Sequence, residues 1–221
     1  MNLQENIQRI LEIMLSEEKE PIRRLRLTFP KEGIETFATK VLSGLNVING
    51  SFTSSDEAVE RIEEYKKKYP GVILDELVIG SHGVGSELFM SQKGEQPTAL
   101  INILEAAKPI IDGNTKIFFT ACYGADYLKR LTDASNQLGG VGVYGAGGFY
   151  NYITGQSQTE SSDKEFYYCK ATVDVNDELQ NKKNAEYSKT SAPKPAKDEF
   201  NKYALDNGYC KRVSKAPINW V

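Results

Sequence analysis

The chain contains one histidine, His82, and three cysteines, Cys122, Cys169 and Cys210. A single imidazole excludes any site that needs two or more, including three-histidine and HExxH zinc centres. The cysteines are widely spaced and form no CxxC pair, which argues against a zinc ribbon and against a thioredoxin-type redox motif. They are too sparse for a small disulfide-stapled domain; one disulfide among them is allowed but nothing requires it. A reducing, cytoplasmic compartment is the simpler expectation. A thiol and an imidazole together nevertheless have a chemical use. The thiol is a strong nucleophile that needs little activation. The imidazole helps form thiolate or protonates a departing amine.

For that pair to act, two elements must deliver it to one place. Glu76 to Gly80 reads as a buried strand running into Ser81-His82-Gly83-Val84-Gly85. Lys116-Ile117-Phe118-Phe119-Thr120-Ala121 is a near-continuous apolar run of the kind that forms a central parallel strand, and it delivers Cys122-Tyr123-Gly124. Consecutive strands of a βαβ unit are usually neighbours. Open α/β sheets place their ligand sites at the carboxyl edge. His82 and Cys122 therefore fall at equivalent strand ends, separated by 40 residues, room for one crossover helix. An acyl oxyanion needs fixed donors, and the backbone N–H groups of Gly83 and Cys122 suit that role. Glycine at 83 also permits close backbone approach.

The surrounding pattern supports such a sheet. Apolar spacing predicts helices over 3–19, 34–45, 55–69, 97–110, 125–138 and 198–207. Alternation predicts strands over 24–29, 47–52, 141–144 and 166–175. Strands alternating with helices indicate an α/β fold with a mainly parallel sheet. Residues 177–197 are polar, rich in Pro and Lys, and read as a linker or mobile loop. The expected organisation is an N-terminal helix over 1–20, an α/β domain over 21–176, and a linker with C-terminal extension over 177–221. The 221 residues suit one domain, able to bury roughly 70% of its unfolded surface. With 27 Lys+Arg against 30 Asp+Glu, the net charge of −3 gives no reason to expect nucleic acid or an anionic membrane as partner. The N-terminus has no secretory pattern, and no apolar run is long enough to cross a bilayer.

The segments Leu77-Val78-Ile79-Gly80-Ser81-His82-Gly83 and Ile117-Phe118-Phe119-Thr120-Ala121-Cys122-Tyr123-Gly124 together resemble the paired signature of caspase-like (clan CD) cysteine peptidases. That group includes caspases, metacaspases, legumain, clostripain, gingipains, separase and self-cleaving toxin domains. The resemblance follows element order over roughly 24–175 and is motif-specific at 77–83 and 117–124. It implies a three-layer sandwich, a mainly parallel central sheet flanked by helices. It further implies His82 and Cys122 as catalytic dyad, Gly83 as an oxyanion donor, and a protein or peptide substrate, the chain itself included. No cofactor or metal is expected. Caspases carry Gln, and metacaspases Asp, two residues before the cysteine, where this chain has Thr120. Neither Asp-directed nor Arg/Lys-directed cleavage is therefore supported. Thr120, Asp126 and Glu87 are the candidates for a substrate pocket, and 177–197 the natural segment for maturation cleavage on exposure.

Two other readings compete. One is a caspase-like domain that no longer cuts and serves in binding or regulation. The other is a doubly wound nucleotide-binding protein, resting on Gly140-Val141-Gly142-Val143-Tyr144-Gly145. That GxGxxG match is weak, since no upstream strand feeds it and no convincing helix starts there. Tyr144, Tyr150, Tyr152, Tyr167 and Tyr168 lack interleaved basic residues, so core or cleft lining is favoured over nucleic-acid stacking.

Overall fold

A computed structural model of the chain describes residues 21–28, 48–52, 54–80, 82–84, 87–89, 97–120, 125, 127–151, 156–158, 166–187 and 192–214; for 28, 48–51, 82–84, 87–89, 97–99, 149–151 and 156–158 the description is of the backbone. The helices expected over 3–19 and 34–45, and with them the N-terminal segment 1–20, lie outside these residues. The strongest apolar runs form the centre of the structure. Strands β3 (Glu76–Gly80) and β6 (Lys116–Phe119) are neighbours in parallel register. Leu77, Val78, Ile79, Ile117, Phe118 and Phe119 are all buried, as a strand covered on both faces requires.

Seven strands of the described residues form one sheet. Beyond β3 lie β1 (Arg24–Thr28) and then β2 (Ile48–Ser51); beyond β6 come β7 (Val143–Ala146), β10 (Phe166–Cys169) and β11 (Cys210–Val213). The first five strands are mutually parallel, β10 runs antiparallel to β7, and β11 antiparallel to β10. Two hairpins stand outside this sheet. They are β4 (His82–Val84) with β5 (Glu87–Phe89), and β8 (Phe149–Asn151) with β9 (Gln156–Gln158).

Five α-helices are described: α1 (Ser55–Lys68), α2 (Pro97–Ala107), α3 (Lys129–Gln137), α4 (Val175–Glu186) and α5 (Lys197–Asp206). Register partners on adjacent strands share a face of the sheet. Cys210, Cys169, Val143, Ile117, Leu77 and Leu25 thus form one lateral row. They join Ile62 of α1, Ile103 of α2, Leu131 of α3, Leu179 of α4 and Phe200 of α5 in a single core. The opposite face carries a second cluster of Val78, Phe118, Ala146 and Phe166, with Tyr144 and Val213 against it. Tyr144 and Tyr167 thus take structural places, as core or cleft lining requires.

Local chemistry sets the boundaries. Ser54 caps α1 by accepting the N–H of Glu57 at 3.3 Å, with Asp56 and Glu57 in the first turn and Lys66, Lys67 and Lys68 in the last. Pro109, which cannot continue an α-helix, leads α2 into one turn of 3-10 helix, Lys108–Ile110. Helix α3 starts at Lys129, later than the spacing predicted, and the N–H of Leu128 is taken by Asn201 Oδ1 of α5 at 2.9 Å. It ends on Gly139 and Gly140, both with positive φ, whose N–H groups return to Asn136 O and Ser135 O. Strand β10 stops at Cys169 rather than Val175. Just beyond it, the Ala171 N–H donates to Ser135 Oγ at 2.9 Å, and that hydroxyl donates back to Ala171 O at 3.3 Å.

The polar stretch 177–197 requires a correction. Over Val175–Glu186 it is a helix, not a linker. Asp174 caps it, accepting from Asn176 and Asp177, while Val175 and Leu179 bury its inner side. The C-terminal part continues through α5 into β11, which belongs to the same sheet as the rest. Of the cysteine pairings that composition allows, Cys169–Cys210 is formed.

Candidate functional site

The parallel register between β3 and β6 fixes the geometry on which the candidate site rests. Ile79 pairs with Phe119, and the ladder extends one residue further, where the Thr120 N–H donates to Ile79 O at 3.0 Å. His82 and Cys122 each stand three residues beyond that register pair in sequence. Both strands thus end at one carboxyl edge, with neighbouring strands about 4.8 Å apart. Gly80 of β3 is also level with Thr28 of β1, and Thr28 with Ser51 of β2, so four strand ends define this edge.

Beyond β3 the described chain forms a separate two-stranded unit. After Gly80 it does not continue the sheet. His82 and Gly83 open β4, with His82 opposite Phe89 and Gly83 opposite Leu88. Glu87 begins β5 opposite Val84, so it shares the hairpin that carries His82. Beyond β6, the N–H of Ala125 donates to Ala146 O at the end of β7. That bond measures 2.8 Å. Cys122 and Asp126 lie outside the described residues.

Thr120 is 1% exposed and its backbone belongs to the β3–β6 ladder. Its side chain is enclosed in the interior and not open to solvent. Ala146-Gly147-Gly148 brings β7 into the β8–β9 hairpin at the same edge. The glycine-rich run is therefore part strand and part turn, and Gly142 and Gly145 have packing reasons. A Cβ on Gly142 would run into the hydroxyl and ring of Tyr168. On Gly145 it would meet Leu131 Cδ2 at 3.1 Å and Ala125 Cβ at 3.3 Å. The GxGxxG run leads into β7 instead of linking a strand to a phosphate-cradling helix N-terminus, which removes the context the dinucleotide reading needs.

Sequence reasoning missed Arg26. It sits 4% exposed in β1, on the sheet face opposite the described helices, level with Val78 and Asn49. The polar–apolar alternation of β1 marks its position but not its burial. The disulfide lies at the far end of the sheet from the candidate site. Cys169 is level with Val143, at the start of β7, whereas Ala146 at its end faces the site's edge.

Among the described residues, no helix is long and apolar enough to cross a membrane. Comparison of the chain with family models, with curated proteins and with solved structures returns no match.

Proposed function

We propose that the chain is a cysteine endopeptidase of the caspase-like kind, a three-layer sandwich working through a Cys122–His82 dyad. One observation carries this reading. The only histidine and one of three cysteines lie the same number of residues beyond register partners on adjacent parallel strands. In the proposed reaction Cys122 Sγ attacks the carbonyl carbon of a peptide bond and forms an acyl-enzyme. His82 protonates the departing amine, and water then releases the acyl group. The N–H groups of Gly83 and Cys122 hold the oxyanion. The β4–β5 hairpin supports this assignment for Gly83, because it gives the residue after His82 an ordered backbone. The substrate is a protein or peptide.

The pocket for the side chain before the cut is proposed around Glu87 and Asp126. Thr120 is enclosed, so its place is in the floor beneath that pocket and not on its surface. The alternative reading is a related domain that binds without cutting; Thr120, which stands where caspases carry Gln and metacaspases Asp, favours it. A mixed peptide library separates the two. Wild type should release fragments readable by mass spectrometry, and Cys122→Ala and His82→Ala should each lose activity by at least about 10³-fold with the melting temperature preserved. Undiminished cleavage by either variant, or none by wild type, would overturn the peptidase.

A further inference from the structure

Cys169 and Cys210 are register partners on antiparallel strands, and the bond between them is closed. The Lys170 N–H donates to Tyr209 O at 2.8 Å, immediately beside the pair. That bond identifies the pair as a non-hydrogen-bonded position, where opposite side chains come closest in an antiparallel ladder. Both residues are buried, at 0% and 3% exposure, in the core row that continues through Val143 and Ile117. The bond closes a segment with a sequence separation of 41 that contains α4, α5 and the start of β11. This segment has few apolar anchors of its own. The buried residues of α4 and α5 are Val175, Leu179, Phe200 and Ala204, and β11 is four residues long with Lys211 and Arg212 exposed at its middle. Closing a loop of this length removes chain entropy from the unfolded state, which stabilises a segment that its own packing anchors sparsely.

We infer that this chain matures in an oxidising compartment, with Cys169–Cys210 closed as a staple of its C-terminal segment and Cys122 as its one thiol. Persistent structural disulfides belong to such compartments and are rare where glutathione and thioredoxin hold thiols reduced. This departs from the cytoplasmic expectation, which rested on the spacing of the cysteines and on the absence of a secretory pattern and a membrane-spanning run, so it requires export by another route. Closure removes two protons and two electrons from the Cys169 and Cys210 thiols. A protein or small-molecule disulfide donor accepts them and leaves as two thiols. Both cysteines are buried and stand level with Val143, at the opposite edge of the sheet from Gly80 and Thr120, which protects the bond from exchange with other thiols. The inference does not depend on peptidase activity.

The test traps thiols with an alkylating agent at harvest, in the cells that make the protein, and maps the peptides without reduction. One alkylated cysteine, Cys122, and a linked Cys169–Cys210 peptide are expected. Three alkylated cysteines, or Cys122 in any linkage, would overturn the inference. The staple is tested on the purified wild-type chain by thermal unfolding with and without reductant. Reduction should lower the midpoint by roughly 10 °C. An unchanged midpoint after both thiols are shown to be free would overturn the staple. Cys122→Ala separates this result from the peptidase reading, since it should abolish cleavage yet leave the linked peptide intact.

Discussion

Tyr65 carries its hydroxyl into the protein interior, where it donates to Ile22 O at 2.5 Å. Burial first, and then the nearby Tyr69, pushes its pKa up from the ordinary phenol value to about 12. Tyr209 is also raised to about 12, there chiefly because its hydroxyl donates to the Glu178 carboxylate, with burial adding to it. Each folded-state pKa lies above the unfolded value near 10. The neutral phenol is thus what folding favours. Its stabilising contribution is complete below about pH 10 and fades as pH rises through about 12. Absorbance titration should show these two tyrosines ionising after the exposed ones, accompanied by unfolding. Tyr65→Phe should flatten the loss of stability between pH 10 and 12 while costing about 1 kcal/mol at neutral pH. A single tyrosine transition near pH 10 with the fold retained would contradict this.

Among the elements, α4 depends most on its ends. Its inner side is narrow, with Val175 and Leu179 buried, and Asp174 caps two N–H groups at 2.9 and 3.0 Å. Asp174→Ala should lower stability by about 1 kcal/mol in urea unfolding, with little change in the slope of the transition. An Asp174→Asn variant, which keeps the acceptor, should recover most of it. That narrow side also explains why the helix was illegible beforehand. Lys182, Lys183 and Asn184 obscure a periodicity that has little apolar signal, and the Asp174 cap alone does not distinguish a helix from a turn. The short strand Cys210–Val213 is hidden for a related reason, since its two central residues are charged and exposed. Apolar strength made the rest readable. Glu76–Gly80 and residues 117–119 are buried on both faces, and Ser54 followed by an amphipathic run gives the start of α1. Of the candidate site, the shared edge was legible because parallel pairing of successive strands is the common outcome. The burial of Thr120 was not, because it depends on what packs over the strand end.

The whole molecule poses the question of where its folding unit ends, and composition and topology answer it differently. The polarity of residues 177–197 suggests a domain closing near 176. The sheet includes β11, α5 supplies the acceptor for the Leu128 N–H, and Phe200 meets Tyr127 edge-on with ring centroids 5.6 Å apart. Removing 177–221 would expose the partners of Leu179 and Phe200, each side chain contributing about 1.5–3 kcal/mol by burial. It would also remove β11, the strand that pairs with β10. These losses are comparable to the 5–15 kcal/mol that holds a typical domain together. They also leave β10 as a bare edge carrying Phe166, Tyr167 and Tyr168, which invites association. A chain ending at 176 should therefore fail to melt cooperatively and should aggregate at concentrations where the full chain is monodisperse. Scattering and calorimetry on the two lengths decide the matter. A sharp calorimetric transition from the shorter chain, at a midpoint within a few degrees of the full chain's, would restore the boundary at 176. Two separable transitions from the full chain would do the same, because α4, α5 and β11 would then unfold apart from the sheet that they complete.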